Sequence, residues 1–339
     1  MPGQAFLLGK MKTGSALSVL VVVTVLQFVR AEAQQPKKVH RIGVFLPVTA
    51  SASAHLIEAF RQGLREYGYI DKQNIALESR YADAEGKTER LKDLAAELVS
   101  LKVDVIVAGS TPGVMAARNA TGAIPIVMVT TGDPVAGRLV ASLARPGGNI
   151  TGLTALGQEL SGKRLEVLKE AVPKASLVAI LSNPENPDTD LSLQGAEVAA
   201  RALGVRLRVQ EVRVPTELDK AFEAITREGA GALMVLPDPM FVSQRERIVA
   251  LTAKRRLPAM YAHREFFDVG GLMFYGASLA DMWRRAATYV DKILKGAKAA
   301  ELRVEQAKKF ELIINLKAAT QIGLTIPPNV LVRADRVIK

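Results

Sequence analysis

Short runs of consecutive, mostly β-branched apolar residues recur along the chain: 41–46 (RIGVFL), 74–79 (NIALES), 103–108 (VDVIVA), 126–130 (IVMVT), 178–181, 206–212, 232–236 and 259–261. Unbroken runs of this kind mark strands covered on both faces, as in parallel sheets. Between them the apolar residues return at helical spacing. Ile57, Phe60, Leu64 and Tyr67 fall at i, i+3, i+7 and i+10. Leu91, Leu94, Leu98 and Leu101 repeat that spacing, and Leu165, Leu168 and Val172 follow it over a shorter stretch. Each set lays one apolar stripe along a helix. Strand–helix alternation predicts βαβ units, hence parallel sheets with helices on both faces.

The alternation pauses at 144–156 (ARPGGNITGLTAL), where Pro146, Gly147, Gly148 and Gly152 read as a linker, and restarts at Val178. A second break at Val269-Gly270-Gly271 precedes a strand and then a helix over 279–294, closed by Lys295-Gly296. A third stretch, 301–309, leads into an apolar run over 310–314 and a short helix near 315–323. The prediction is two Rossmann-like, doubly wound α/β lobes joined by a hinge with up to three crossings. The N-terminal lobe is expected to take 39–150 plus 277–303, and the C-terminal lobe 151–276 plus 304–339.

Residues 1–33 read as a signal peptide and not as fold. Lys10 and Lys12 precede the apolar run 16–29, and Ala31-Glu32-Ala33 has the small-x-small pattern of a cleavage site. The run is too short to span a bilayer comfortably, which takes about 20 apolar residues. The chain has 339 residues, no Cys and three His. That excludes a disulfide scaffold, a thiolate nucleophile, a Cys-bound metal and a lipid-anchoring Cys after the leader. The formal charge of +11 falls to +9 without Lys10, Lys12, Arg30 and Glu32. The remaining Lys and Arg are scattered, so nucleic acid is not an expected partner.

Ligands of open parallel sheets bind outside the carboxyl ends of the strands. Ser110 and Thr111 follow one strand and open a helix, where hydroxyls and free amides suit a carboxylate. Thr131 and Asp133 follow another strand; Asp133 either caps the next helix or accepts an amine. Asn183, Asp238, Tyr261 and Glu265 occupy equivalent places in the second half, with Glu265 the alternative to Asp133 as acceptor for an amine. Asn183 is followed by Pro184 and also reads as a turn, and Glu265 has Arg264 beside it as a surface partner. Tyr275 is expected near the hinge, with Tyr261 and Tyr275 contacting the body of a solute. Trp283 falls inside the 279–294 helix and reads as packing. No nucleophile–base–acid set, metal-ligand spacing, phosphate loop or dinucleotide fingerprint is present in the sequence, so no catalytic residue, metal or cofactor is expected.

Six segments together carry a family resemblance: 101–108 (LKVDVIVA), 132–135 (GDPV), 142–153 (SLARPGGNITGL), 271–276 (GLMFYG), 289–296 (YVDKILKG) and 310–328 (FELIINLKAATQIGLTIPP). The chain resembles the solute-binding proteins of ABC transporters, in the branch described as TrpX-like, from about Val39 to Ile338. The resemblance implies a type I periplasmic-binding fold, closure of two lobes on one small solute, and delivery to a permease and its ATPase at the inner membrane. An amino acid or an aromatic or organic carboxylate is the expected solute class, with a periplasmic, monomeric protein. The chain departs from the family where Ala307 and Lys308 replace the usual Pro and Thr. A sensor for a receptor kinase, and less readily a secreted α/β enzyme, are the rival expectations.

Overall fold

The apolar runs build two sheets in a computed structural model of the protein, which describes residues 39–82 and 88–339. The expected leader lies outside the described residues. The first sheet contains β1 (His40–Leu46), β2 (Ile75–Tyr81), β3 (Val105–Gly109), β4 (Ile126–Thr130), β5 (Ile150–Thr154) and β11 (Glu305–Gln306). Its order is β11-β5-β4-β3-β1-β2 and every pairing is parallel. The second contains β6 (Leu177–Ser182), β7 (Arg206–Glu211), β8 (Ala232–Val235), β9 (Ala259–Tyr261), β10 (Met273–Ala277), β12 (Phe310–Asn315) and β13 (Arg336–Ile338). Its order is β13-β12-β10-β9-β8-β6-β7, parallel except for the antiparallel β10–β12 pair. The two parallel-sheet α/β lobes match the predicted fold class.

Two predicted lobe boundaries need correction. The 150/151 boundary falls inside β5, which hydrogen-bonds along β4 from Ile126–Ile150 to Thr130–Thr154. The glycine-rich composition of this stretch resembles a linker, yet it forms a strand. Gly152 has φ +130, and a Cβ there would overlap the Met128 backbone, so glycine is what lets this strand lie against its neighbour. The 303/304 boundary also moves, because β11 pairs with β5 in the first sheet and Ala307 N–H donates to the Thr154 carbonyl. The chain therefore crosses between the sheets just after Thr154, at Ser278 and at 308–309. Ser278 N–H donates to the Lys309 carbonyl, tying two of these crossings together.

The helices cover the sheets as the stripes predict. Thr49 caps helix Ala50–Glu66 by accepting from Ala52 N–H, and Leu56, Ile57, Phe60 and Leu64 form its buried face. Burying each of these side chains contributes about 1.5–3 kcal/mol. That helix packs on Leu279–Leu294, whose backbone approaches so closely that a Cβ on Gly63 would overlap the Arg284 carbonyl. Phe60 and Trp283 meet edge to face, with centroids 6.0 Å apart. Helix Gly157–Ala171 buries Leu165 and Leu168 against the second sheet and packs on helix Thr189–Leu203. Among the described residues no helix is long and apolar enough to cross a membrane.

Candidate functional site: the cleft between the two sheets

The carboxyl ends of both sheets face one cleft. Leu46, Val48, Ser110, Val129 and Thr131 line it from the first lobe. Asn186, Asp188, Pro237, Asp238, Val242, His263 and Glu265 line it from the second, and Leu279 and Trp283 from the helix after the middle crossing. The wall is thus largely apolar, with carboxylates concentrated on one lobe.

Four of the sequence-predicted residues reach this cleft: Ser110, Thr131, Asp238 and Glu265. Ser110 caps helix Thr111–Ala120 with a positive φ of 59, a costly conformation for a residue with a side chain. The other five do not line it. Thr111 is buried and shares a 2.6 Å hydrogen bond with the Thr130 hydroxyl. Asp133 accepts from the N–H groups of Val135 and Ala136, so it stabilises the turn after β4. Asn183 donates to Asp238 Oδ2 at 3.2 Å. Tyr261 is buried in the second lobe, stacked on Phe266 at 4.5 Å and hydrogen-bonded to the Thr252 hydroxyl at 3.1 Å. Its apolar ring belongs to the core, which the short run 259–261 did not disclose. Tyr275 packs between the cores of the two lobes, and its carbonyl accepts from Arg164 Nε at 2.8 Å.

Three buried carboxyls stand at the cleft. Asp238 caps helix Pro239–Ser243 through Met240 N–H at 2.8 Å and Phe241 N–H at 3.4 Å. It also accepts from Asn186 Nδ2 at 2.9 Å. Burial nevertheless pushes its pKa up to about 6, against these donors. Asp188 is likewise raised to about 6, first by burial; a hydrogen bond from Thr111 opposes the shift, and Asp133 and Asp238 add to it. Glu265 is only 5% exposed and is raised to about 7, chiefly by burial. Its Oε1 lies 3.6 Å from His55 Nε2 on the opposite lobe.

Sequence reasoning missed Asp188 and Arg164. Asp188 stands at the N-cap of its helix, a position that usually explains an Asp, yet its side chain makes no cap bond and faces the cleft instead. Arg164 is 1% exposed. Its signal was legible: Leu160, Arg164 and Leu168 fall at i, i+4 and i+8, which places a guanidinium on the apolar stripe. His263 is held neutral, its pKa lowered to about 3 by burial and then by the Arg164 charge.

The two lobes touch across the cleft. Asp188 of the second lobe lies against Gly132 of the first, where any Cβ would overlap its carboxylate. Two parallel-sheet lobes, three crossings and a cleft at the carboxyl ends define a two-lobed binding protein of the type I periplasmic class.

The chain belongs to the ABC transporter substrate binding protein family, whose sequence profile matches residues 41–338. It is a solute-binding protein, not an enzyme. A tyrosine-binding protein of Clostridioides difficile is 26% identical over 280 residues, covering 82% of this chain and 79% of the relative. A conserved domain protein from Vibrio cholerae superposes with a TM-score of 0.82 at 28% identity, covering 88% of this chain and all of the other. An ABC domain from Streptococcus pneumonia in complex with L-Trp gives a TM-score of 0.82 at 25% identity, covering 89% and 100%.

Proposed function

We propose that this protein captures an amino acid with an aromatic side chain in the periplasm and delivers it to an ABC permease and its ATPase for import, acting as a monomer. The observation that carries the reading is the composition of the cleft. Leu46, Val48, Leu56, Val129 and Trp283 offer an apolar wall, while Asp188, Asp238 and Glu265 offer acceptors at its polar edge. A flat apolar body with hydrogen-bond donors matches that surface, as most small-molecule sites combine an apolar lining with a few placed polar groups. The tyrosine-binding relative and the L-Trp complex support the same class of solute. Closure brings both lobes onto the solute, and the closed form is what a permease would recognise.

Titration calorimetry of the folded protein against the twenty amino acids and a set of aromatic acids tests this. L-tyrosine or L-tryptophan should bind with a dissociation constant in the micromolar range or tighter, about −8 kcal/mol or better. A folded protein that binds neither overturns the reading.

A further inference from the structure

A small second compartment lies beside the cleft and shares Thr131, His263, Glu265 and Leu279 with it. It is also lined by Arg164, His55, Arg264 and Glu311. Arg264 and Glu311 pair with each other at 4.0 Å. Arg164 and Glu265 do not pair, and both are left incomplete: Arg164 Nη1 and Glu265 Oε2 are buried without a hydrogen-bond partner. Arg164 forms no ion pair with a carboxylate among the described residues, and its Nε is already committed to the Tyr275 carbonyl at 2.8 Å. A guanidinium stays charged in a protein, so leaving it buried and unmatched is costly. The same holds for a carboxylate with an unsatisfied oxygen.

We infer that Arg164 and Glu265 form a head-group clamp for a zwitterionic α-amino acid, Arg164 receiving the carboxylate and Glu265 the ammonium, while the side chain extends into the adjoining apolar cleft. This rests on the amino-acid reading above and names how that site recognises its ligand. A zwitterion supplies what each group lacks: two oxygens for the guanidinium and N–H donors for the carboxylate. Neutral His263 stands in the same compartment without adding a competing charge. Asp188 and Asp238 line the cleft but not this compartment, which leaves them to the side chain. Because Arg164 is tied to the carbonyl of Tyr275, two residues before Ala277 ends β10 at the middle crossing, filling the clamp also braces the hinge.

The test compares three ligands that differ only at the head group: L-tyrosine, tyramine and 3-(4-hydroxyphenyl)propanoate, with the tryptophan series in parallel. Calorimetry on the wild-type protein should show a preference of about 100-fold for the amino acid over each truncated analogue. Arg164→Met should abolish the preference over the amine while keeping most of the preference over the acid. Glu265→Gln should do the reverse. Arg164→Lys, which keeps the charge and risks the fold less, should give an intermediate ratio. Each variant's thermal unfolding midpoint is read alongside, and the ratios do not depend on the fraction folded. A wild type that binds the amino acid, with head-group preferences unchanged in Arg164→Met, Arg164→Lys and Glu265→Gln, overturns the clamp and leaves the amino-acid reading standing. A wild type that binds none of the amino acids overturns both.

Discussion

Asp188 of the second lobe rests against the Cα of Gly132 of the first, with no room for a side chain at position 132. The contact joins the loop after β6 to the loop after β4, beside the cleft. In this arrangement the two lobes meet at a point where residue 132 carries no side chain.

Gly132→Ala should fold normally, because the collision is with the opposite lobe and not within its own turn. It should hold the lobes apart and weaken ligand binding. Overpacking costs about 1–3 kcal/mol, which is roughly 5- to 150-fold in affinity. Calorimetry and small-angle scattering check this. Restored affinity in Gly132→Ala/Asp188→Ala would assign the loss to the collision; unchanged affinity in Gly132→Ala would show that closure does not use this contact.

The protonation of Asp188 gives stability a definite sign. Its folded pKa of about 6 lies above its ordinary 3.8, so the folded state holds the proton more tightly. Stability from this group is complete below pH 3.8 and is lost as pH rises through 6, by about 3 kcal/mol at most. Neutral His263 works in the opposite sense below pH 6.5, so the profile of the whole protein is composite. The difference between Asp188→Asn and wild type isolates the term. In urea unfolding of the ligand-free protein, the variant should gain relative stability between pH 4.5 and pH 7.5, by a kilocalorie or more. A difference that does not change with pH counts against a raised Asp188.

Trp283 is the single tryptophan of the chain and lines the cleft. It is buried, against Phe60. Its emission should therefore report closure directly: opening admits water to the indole and shifts emission to longer wavelength, and ligand reverses the shift. Titration with L-tyrosine under selective indole excitation checks this, with Trp283→Phe as the blank. An emission maximum that stays fixed through saturation would mean that the cleft does not change its solvent access.

Gly152→Ala should destabilise the first lobe by about 3 kcal/mol, since it combines a positive φ with overlap on the Met128 backbone. Chemical unfolding measures the cost. A loss under 1 kcal/mol would show that β5 can shift to make room, contrary to its pairing along β4.

Much of the fold was readable in the chain because buried parallel strands announce themselves. The runs at 41–46, 126–130 and 259–261 became β1, β4 and β9 within a residue at each end. β5 was not readable, because its glycine and proline neighbours resemble a linker until the Met128 backbone is seen pressed against Gly152. Tyr261 and Asp133 were plausible contacts by position after a strand, yet one went to the core and the other to its own turn.

By itself, the sequence determined the parallel α/β lobes and the placement of candidate residues at strand ends, because these follow from local periodicity and a general rule of sheet topology. The tertiary structure alone decided which of those residues meet. Asp188 and Gly132, and Glu265 and His55, are far apart in sequence and become neighbours only when the lobes meet, while Arg164 and Tyr275 are brought together by the packing of a helix on the second sheet. A solute site of this kind is made across two lobes, and no local pattern in either lobe encodes the register between them.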